Sequence, residues 1–344
     1  MKAFFVGWNS PSNIALVKYW GKLPGQIPAN PSVSFTLNNS ITFFEIAAYE
    51  QNLDKIEVEL YFEGTRPEKF ENKIVKFLES QIVHFPWVKD YKLVMHSKNT
   101  FPHSSGIASS ASSMSALCLC LLSIDEKIKN TKLSREDFYK KASFFSRLAS
   151  GSAARSVYPG LVTWGEIVSI SESSSEYAKE IVSSNVHPIF KDYCDAIMIV
   201  DANEKSVSSR AGHSLMENHP FKEARFKRAR ENTEALLVAL KTGDLEAFVS
   251  IVEEEALSLH ACMMTSSPSF ILLKPRSLEV IEKIRQFREQ TKIPVCFTID
   301  AGPNIHLLYP MMYQEDVKDW INHTFSDLRI IYDHVGNGPI NLKE

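Results

Sequence analysis

The alternation of apolar and polar side chains predicts a chain of mixed strands and helices. A period of two, typical of half-buried strands, gives residues 32–37, 41–48 and 56–62, which we expect to form an antiparallel sheet. Residues 67–84 instead place their apolar side chains on one face of a helix. Further strands are predicted at residues 3–8, 13–17 and 91–96, the first of them ending at Ser10-Pro11-Ser12.

The second half is predicted to pack helices around a few buried strands. Ser134 and Asp137 have the spacing of a capping box, and Gly243 and Asp244 are a helix stop followed by a helix cap. Residues 169–180, polar and rich in serine, are interpreted as a surface excursion at a domain junction. The predicted helices cover residues 134–148, 221–241, 244–259, 277–290 and 315–325, and the predicted strands residues 161–164, 196–200, 295–299, 305–309 and 329–332.

The length of the chain indicates how many domains it can form, and its charge argues against one class of function. The 344 residues accommodate two domains with a core in each, and we place them at residues 1–185 and 186–344. A formal net charge of -3 argues against a general nucleic-acid binder, which needs a clear basic excess. The five scattered cysteines do not suggest a disulfide framework or a zinc site. Because neither a signal peptide nor a membrane span is predicted, we expect a cytoplasmic protein without a membrane partner.

A run of hydroxyls and small side chains at residues 102–122 continues directly into an apolar helix. Small side chains let a ligand approach the backbone, and the first turn of a helix offers unpaired N–H groups and a positive dipole end. The stretch therefore predicts an anion site, most naturally for the phosphates of a nucleotide. A serine-rich linker is the alternative, but linkers do not continue into Met114, Leu117 and Leu121 at helical spacing.

Other unusual residues gather at the predicted ends of strands and helices. Residues 18–22 form a cationic, aromatic turn that could hold an anion, although a solvated strand end with lysines at the surface is equally compatible with it. Residues 149–156 and 205–213 are further patches of hydroxyls with cations. Asp300 ends an apolar strand, and its alternative role is local hydrogen bonding in an Asp-Ala-Gly-Pro turn.

Taken together, these blocks resemble the mevalonate diphosphate decarboxylase family of the GHMP kinase superfamily. They follow the order of the family from residue 13 to residue 304, so the resemblance covers nearly the full length. The blocks are Asn13-Ile-Ala-Leu-Val-Lys-Tyr-Trp-Gly-Lys22, Pro102-x3-Gly-Ile-Ala-Ser-Ser-Ala111, Ser150-Gly-Ser-Ala-Ala-Arg-Ser156, Val207-Ser-Ser-Arg210 and Thr298-x-Asp-Ala-Gly-Pro-Asn304.

The resemblance implies a two-domain α+β fold of the GHMP-kinase type, with antiparallel or mixed sheets packed against helices and the active site in the cleft between domains. It also implies a homodimer that uses ATP and Mg²⁺ to convert mevalonate 5-diphosphate to isopentenyl diphosphate, ADP, phosphate and CO₂. A decarboxylase acting on mevalonate 5-phosphate and a related mevalonate kinase are the alternatives within the superfamily. A non-catalytic binding paralogue is a further alternative, although the chain retains the charged residues of the motifs.

The resemblance also assigns roles by motif. Asp300 matches the catalytic aspartate, Lys18 its lysine partner, and Arg155 a residue that positions the substrate carboxylate. No carboxylate stands out as a metal ligand, so Mg²⁺ is expected to bind nucleotide oxygens, serine hydroxyls and water. The predicted substrate-binding residues are Tyr19, Trp20, Gly21, Lys22, Lys73, Ser150, Gly151, Ser152, Ala153, Ala154, Arg155, Ser209 and Arg210, and the predicted ATP-binding residues are Ser104, Ser105, Gly106, Ile107, Ala108, Ser109 and Ser110.

Overall fold

Helices pack on two large β-sheets, one of seven and one of four strands, and the described residues also form a small two-stranded sheet; this confirms the predicted α+β class. The computed structural model describes residues 2–51, 55–102, 107–202 and 209–343, except for the side chains of residues 209–211. Among the helices in these ranges, none has the length and apolarity needed to cross a membrane.

The described elements alternate between short strand groups and helices along the chain. The strands are Ala3–Val17 (β1), Lys22–Leu23 (β2), Ile27–Pro28 (β3), Ser32–Glu50 (β4), Val58–Phe62 (β5), Tyr91–Asn99 (β6), Leu161–Ile167 (β7), Ile170–Glu180 (β8), Cys194–Ile199 (β9), Cys296–Thr298 (β10), Ile305–Tyr309 (β11), Arg329–His334 (β12) and Ile340–Asn341 (β13). The helices are Glu68–Ser80 (α1), Ser109–Lys129 (α2), Arg135–Ala149 (α3), Ser209–Ser214 (α4), Lys222–Thr242 (α5), Leu245–Met264 (α6), Pro275–Thr291 (α7) and Gln314–Thr324 (α8).

Two long antiparallel strands, β1 and β4, form the centre of the seven-stranded sheet. The predicted strand end at Ser10-Pro11-Ser12 is wrong, because β1 continues through it with only a shift of register between Pro11 and Asn13. A bulge of this kind tolerates proline, since the missing N–H falls where the ladder is already interrupted. The predicted strands at 32–37 and 41–48 are likewise one strand, β4.

The sheet is mixed rather than antiparallel throughout. Strand β5 pairs in parallel with β6, and α1 lies between them in the chain. Parallel neighbours need such a crossover helix, so the predicted helix at 67–84 is itself the reason that the antiparallel prediction fails for β5. Residues 169–180 are also not a surface excursion, because β8 pairs with β7 in this sheet.

Helix α2 is buried along most of its length against β1 and β4. Its serines bond to polar residues of those strands: the Ser10 and Ser115 hydroxyls are 2.6 Å apart, as are those of Thr42 and Ser112. A helix with apolar and small residues on all sides belongs inside a domain. This packing fixes the start of α2 relative to β1.

The four-stranded sheet is antiparallel, with the order β10-β11-β9-β12. The predicted hairpin of residues 295–299 and 305–309 is confirmed as β10 and β11. The predicted caps are confirmed too: Ser134 accepts a bond from the Asp137 amide at 3.1 Å, and Asp244 from the Ala247 amide at 3.0 Å. Gly243 ends α5 in the left-handed conformation, as a helix stop should.

Asp333 joins the two sheets. This buried carboxylate on β12 accepts bonds from the amides of Asn38 and Asn39 at 2.8 and 2.9 Å and from that of Ser40 at 2.7 Å, all on β4. It also accepts a bond from the amide of His334 at 2.8 Å. Hydrogen bonds to a charged acceptor are stronger than neutral ones, and a buried N–H that loses its acceptor is costly.

We therefore expect Asp333→Ala to lower the free energy of unfolding by about 3 kcal/mol. Urea denaturation followed by circular dichroism measures this difference. Asp327→Ala is the matched control, since the exposed Asp327 of the same half contacts only the Arg276 side chain, at 2.6 Å, among its described hydrogen bonds. Equal losses of stability in the two variants would contradict the role assigned to Asp333.

Candidate active site

An ion pair joins two segments that are 282 positions apart in sequence. Lys18 directly follows β1, Asp300 lies two residues beyond β10, and Lys18 Nζ is 2.8 Å from Asp300 Oδ1. The Lys18 side chain is 2% exposed and that of Asp300 28% exposed. The lysine is thus enclosed by protein, whereas the carboxylate lies where a ligand can reach it.

Both residues are held through their main chains. The Lys18 amide donates to Glu255 Oε2 at 2.9 Å, and the Lys18 carbonyl accepts a bond from Asn30 Nδ2 at 2.9 Å. His260 Nε2 lies 3.1 Å from the carbonyl oxygen of Asp300. These contacts fix the backbone of both residues, so the ion pair is held in one geometry before any ligand binds.

Arg155 extends the positive charge of this region. It lies in the 3₁₀ segment Gly151–Val157, where Nε donates to Asn13 Oδ1 at 3.2 Å and Nη1 to Ser32 Oγ at 2.5 Å. Nη2 makes no hydrogen bond to the described residues, although the residue is buried. The outer edge of the guanidinium is therefore available to an oxyanion, in the planar geometry that suits a carboxylate.

The charges of these three residues influence one another. Burial lowers the pKa of Lys18 below that of an ordinary lysine, and the negative charge of Asp300 offsets part of that effect. Burial also lowers the pKa of Arg155 to about 10, again against an opposing contribution from Asp300. Arg155 therefore stays cationic at neutral pH, and Asp300 lies in the field of two buried cations.

The cationic turn of residues 18–22 continues along the same region. The ring of Tyr19 is 4.7 Å from that of Trp164, and a side chain at Gly151 would clash with the Tyr19 hydroxyl, because a Cβ there would lie only 2.8 Å from it. That hydroxyl is buried without a hydrogen-bond partner among the described residues. Lys22 Nζ donates to Gln26 Oε1 at 3.0 Å.

The start of α2 lies against the same group of residues. Ala108 caps the helix in the left-handed conformation, and the Ser110 and Ser150 hydroxyls are 3.4 Å apart. Ser12 of β1 donates to the carbonyl oxygen of Ile107 at 2.5 Å. Five residues of β1 separate Ser12 from Lys18, a span of roughly 20 Å of extended chain, so the helix start and the ion pair lie near the two ends of the same short stretch of β1.

The other described residues with predicted roles are located by their main chains, by their burial or by the helix on which they lie. Ser152 offers its carbonyl to Asn13 Nδ2 at 3.2 Å, whereas Ala153 and Ala154 are fully buried, so any contact of these two with a ligand would run through the main chain. Lys73 lies on α1, which packs on β5 at the edge of the sheet. Several predictions lie wholly or partly outside the described residues: Ser104, Ser105 and Gly106, and the side chains of Ser209 and Arg210.

Glu255, Asn30 and His213 have no role predicted from the sequence. Glu255 lies in a helix among other acidic residues, and nothing in its neighbourhood distinguishes it from a solvated side chain. No group of three or more His, Cys, Asp or Glu side chains within the described ranges could hold a metal ion.

Family models match both halves of the chain. A diphosphomevalonate decarboxylase-like N-terminal domain matches residues 10–176, and a mevalonate 5-diphosphate decarboxylase C-terminal domain matches residues 196–341. Together they cover about nine-tenths of the sequence. The chain belongs to the diphosphomevalonate decarboxylase family. The predicted boundary between residues 1–185 and 186–344 falls between the two matches and stays a prediction.

Relatives of the diphosphomevalonate decarboxylase family resemble the chain over nearly its whole length. The diphosphomevalonate decarboxylase of Ganoderma lucidum is 28% identical over 95% of this chain and 84% of its own length. The mevalonate diphosphate decarboxylase of Staphylococcus aureus has a solved structure that is 27% identical, covers 99% of both chains and has a TM-score of 0.85. A solved complex of MDDEF with MVAPP, AMPPCP and magnesium is 26% identical over 100% of both chains, also with a TM-score of 0.85.

Proposed function

We propose that this protein catalyses the ATP-dependent decarboxylation of mevalonate 5-diphosphate, by way of phosphorylation of its 3-hydroxyl. The products are isopentenyl diphosphate, CO₂, ADP and phosphate. The observation that carries the proposal is the ion pair of Lys18 and Asp300, with the buried cation of Arg155 in the same region. This reaction needs two groups: a carboxylate that receives a proton, and a cation that orients the carboxyl group of the substrate.

Asp300 orients the 3-hydroxyl for attack on the γ-phosphoryl group and accepts its proton late in the transfer. Proton transfer to a positioned carboxylate contributes on the order of 10²–10⁴ in rate. Lys18 favours the charged form of the carboxylate and holds it in place through the 2.8 Å contact. Because Lys18 is almost wholly buried, its ammonium group exchanges contacts with water very little.

Arg155 positions the carboxylate of the substrate through the edge that carries Nη2. After phosphorylation, the bond between this carboxylate and the chain breaks, its electron pair forms the alkene, and the 3-oxygen leaves with the phosphate. A guanidinium that bound the carboxylate too tightly would stabilise the ground state and slow the loss of CO₂. The bonds from Arg155 to Asn13 and Ser32 limit how far the guanidinium can follow the carboxylate.

The ends of the two substrates are assigned to the remaining motifs. The start of α2 receives the nucleotide phosphates, since its first turn carries unpaired N–H groups and serines and no acidic side chain that would repel an anion. ATP supplies the phosphoryl group, and Mg²⁺, held with Ser109, Ser110 and water, neutralises phosphate oxygens. The diphosphate is assigned to Tyr19, Lys22, Arg210 and Lys73, with Trp20, Gly21, Ser150, Gly151, Ser152, Ala153, Ala154 and Ser209 around it.

Assays with three substrates test this proposal. Purified protein is incubated with ATP, Mg²⁺ and either mevalonate, its 5-phosphate or its 5-diphosphate, and ADP formation is followed. We expect turnover on the 5-diphosphate alone. Turnover on the 5-phosphate alone would favour the alternative decarboxylase, and turnover on unphosphorylated mevalonate would favour a kinase.

The activity is expected to fall on the alkaline side at a pH below 10.5. Burial lowers the pKa of both Lys18 and Arg155, so each cation loses its proton at a lower pH than an ordinary lysine or arginine. As the pH rises through those values, the ion pair and the carboxylate site lose their charge. A profile of kcat/KM against pH, with circular dichroism to verify folding, measures this; a flat profile up to pH 10.5 in folded protein would contradict it.

We further propose that the protein works as a cytoplasmic homodimer, on the strength of the family resemblance. Light scattering from the purified protein is expected to give twice the mass of the chain. A monomer at assay concentrations would contradict the dimer, and recovery of the protein in a membrane fraction would contradict the location.

A further inference from the structure

His213 connects two segments that bear predicted phosphate ligands. It lies near the end of α4, the helix on which Ser209 and Arg210 lie, and its imidazole contacts the turn of residues 18–22. The Gly21 amide donates to His213 Nδ1 at 3.0 Å, across 192 positions of sequence. His213 is 8% exposed as a residue, so this contact lies inside the protein.

Two aromatic rings hold the same imidazole. The ring centroid of Tyr19 lies 4.3 Å from that of His213, and the centroid of Trp20 lies 4.7 Å away, at interplanar angles of 41° and 37°. Ring contacts of this kind stabilise one orientation of the imidazole. His213 therefore touches three consecutive residues of the turn, two through rings and one through a backbone bond.

The surrounding glycines show how closely the turn and the helix approach. A Cβ on Gly212 of α4 would lie 2.4 Å from Cη2 of Trp20, and on the side of α5 a Cβ on Gly21 would lie 2.6 Å from Cζ of Phe226. Gly21 also has a positive φ of 96°, which other residues rarely adopt. Neither segment can shift past the other without breaking the contacts to His213.

The hydrogen bond defines the protonation of the ring. Because an amide can only donate, Nδ1 must be the bare acceptor, and the ring proton of the neutral imidazole lies on Nε2. Burial lowers the pKa of His213 to about 3, and the positive charges of Lys22 and Arg155 act in the same direction. The ring is thus neutral at physiological pH and available as a permanent acceptor.

We propose that His213 is a positioning residue. Its Nδ1 acceptor holds the turn of Tyr19, Gly21 and Lys22 against α4, in the position in which the turn binds the diphosphate. The inference rests on the proposed function, in which this turn and Arg210 hold that end of the substrate. It assigns no chemistry to the imidazole. The residue acts only through the main chain and the rings that it holds.

Two substitutions separate the acceptor from the ring. His213→Phe keeps an aromatic ring between Tyr19 and Trp20 but removes the acceptor, whereas His213→Asn replaces Nδ1 by Oδ1 at the same position from the backbone. We expect His213→Phe to raise KM for mevalonate 5-diphosphate by about tenfold, with KM for ATP changed by less than about twofold. We expect His213→Asn to stay within about threefold of the wild-type KM for the diphosphate.

His219→Phe is the matched control. His219 is equally buried in the following segment and accepts a bond from the Phe221 amide at 3.1 Å through the same ring atom, but this bond is local. We expect it to lower stability without changing KM for the diphosphate. The proposal is overturned if His213→Phe keeps the wild-type KM, if Phe and Asn at 213 have equal effects, or if the control raises this KM as much.

A measurement on the wild-type protein avoids dependence on the folding of a variant. In nuclear magnetic resonance of protein with isotope-labelled histidine, the His213 ring is assigned by its contacts with the rings of Tyr19 and Trp20. It is expected to be protonated on Nε2 and neutral down to pH 5. A His213 ring protonated on Nδ1 would overturn the proposal. Wild-type protein that leaves mevalonate 5-diphosphate unchanged would instead contradict the proposed function, so the two failures are distinguishable.

Discussion

Asp300→Asn is expected to lower kcat by roughly a thousandfold or more, within the range that a positioned general base supplies. Asparagine keeps the size of the side chain and an oxygen that can face Lys18 Nζ, but it cannot accept the proton of the 3-hydroxyl at a useful rate. Binding of ATP and of mevalonate 5-diphosphate should change by less than about threefold, because neither phosphate group is assigned to this carboxylate.

Steady-state kinetics gives kcat for the variant, and calorimetric titration gives the two dissociation constants. Asp300→Glu is the companion variant: it keeps the charge but moves the carboxylate by one methylene, so its rate should lie between those of the asparagine variant and the wild type. A folded Asp300→Asn protein with even a tenth of the wild-type rate would contradict the role of Asp300.

Glu255→Ala is expected to lower the free energy of unfolding by about 3–5 kcal/mol, the usual cost of removing one partner of a buried ion pair. Glu255 is fully buried and receives bonds from Arg225 Nη1 and Nη2, at 3.0 and 2.6 Å, and from Asn232 at 2.8 Å. It also accepts the bond from the Lys18 amide. The variant leaves the Arg225 charge without its carboxylate and releases the backbone of Lys18, so the rate should fall as well.

The preceding residue of the same helix provides the control. Glu254 binds Arg228 through two bonds of 2.5 and 2.6 Å, but both side chains are substantially exposed. Exposed ion pairs contribute little, so Glu254→Ala should cost less than about 1 kcal/mol. Denaturant unfolding compares the two variants, and a Glu255→Ala protein as stable as Glu254→Ala would contradict the assignment.

Features that depend on neighbouring residues were predictable from the sequence. The caps at Ser134 and Asp244 and the stop at Gly243 need only three or four positions of local chain, and the structure has all of them. The hairpin of β10 and β11 was predictable for the same reason. Helix α2 was recognisable because small residues and hydroxyls continue into apolar residues at helical spacing.

Features that depend on pairing between distant segments were not predictable from the sequence. Whether a strand continues through Pro11 depends on β4, which accommodates a bulge there. The parallel pairing of β5 depends on where α1 returns the chain, and the strand β8 is hidden by its many serines because β7 supplies its partner. Alternating patterns predict a strand but do not identify its neighbour.

In the candidate site, too, the residues with a local sequence signal were predictable and those that act through distant contacts were not. Lys18, Arg155 and Asp300 are visible in the sequence because charged residues stand out beside apolar strands and patches of small residues. Glu255 and His213 act on the turn of residues 18–22 from 237 and 192 positions away. Their burial, which gives them their effect, results from the packing of the second half against the first and leaves no local pattern.

The ratio of CO₂ released to ADP formed on mevalonate 5-diphosphate distinguishes a decarboxylase from a kinase. Substrate labelled in the carboxyl group allows both products to be counted in one reaction of the wild-type protein. A protein in which Asp300 starts phosphoryl transfer and Arg155 holds the departing carboxylate should give one CO₂ for each ADP, and neither product after Asp300→Asn. ADP formed without CO₂ would identify a kinase and contradict the proposed decarboxylation.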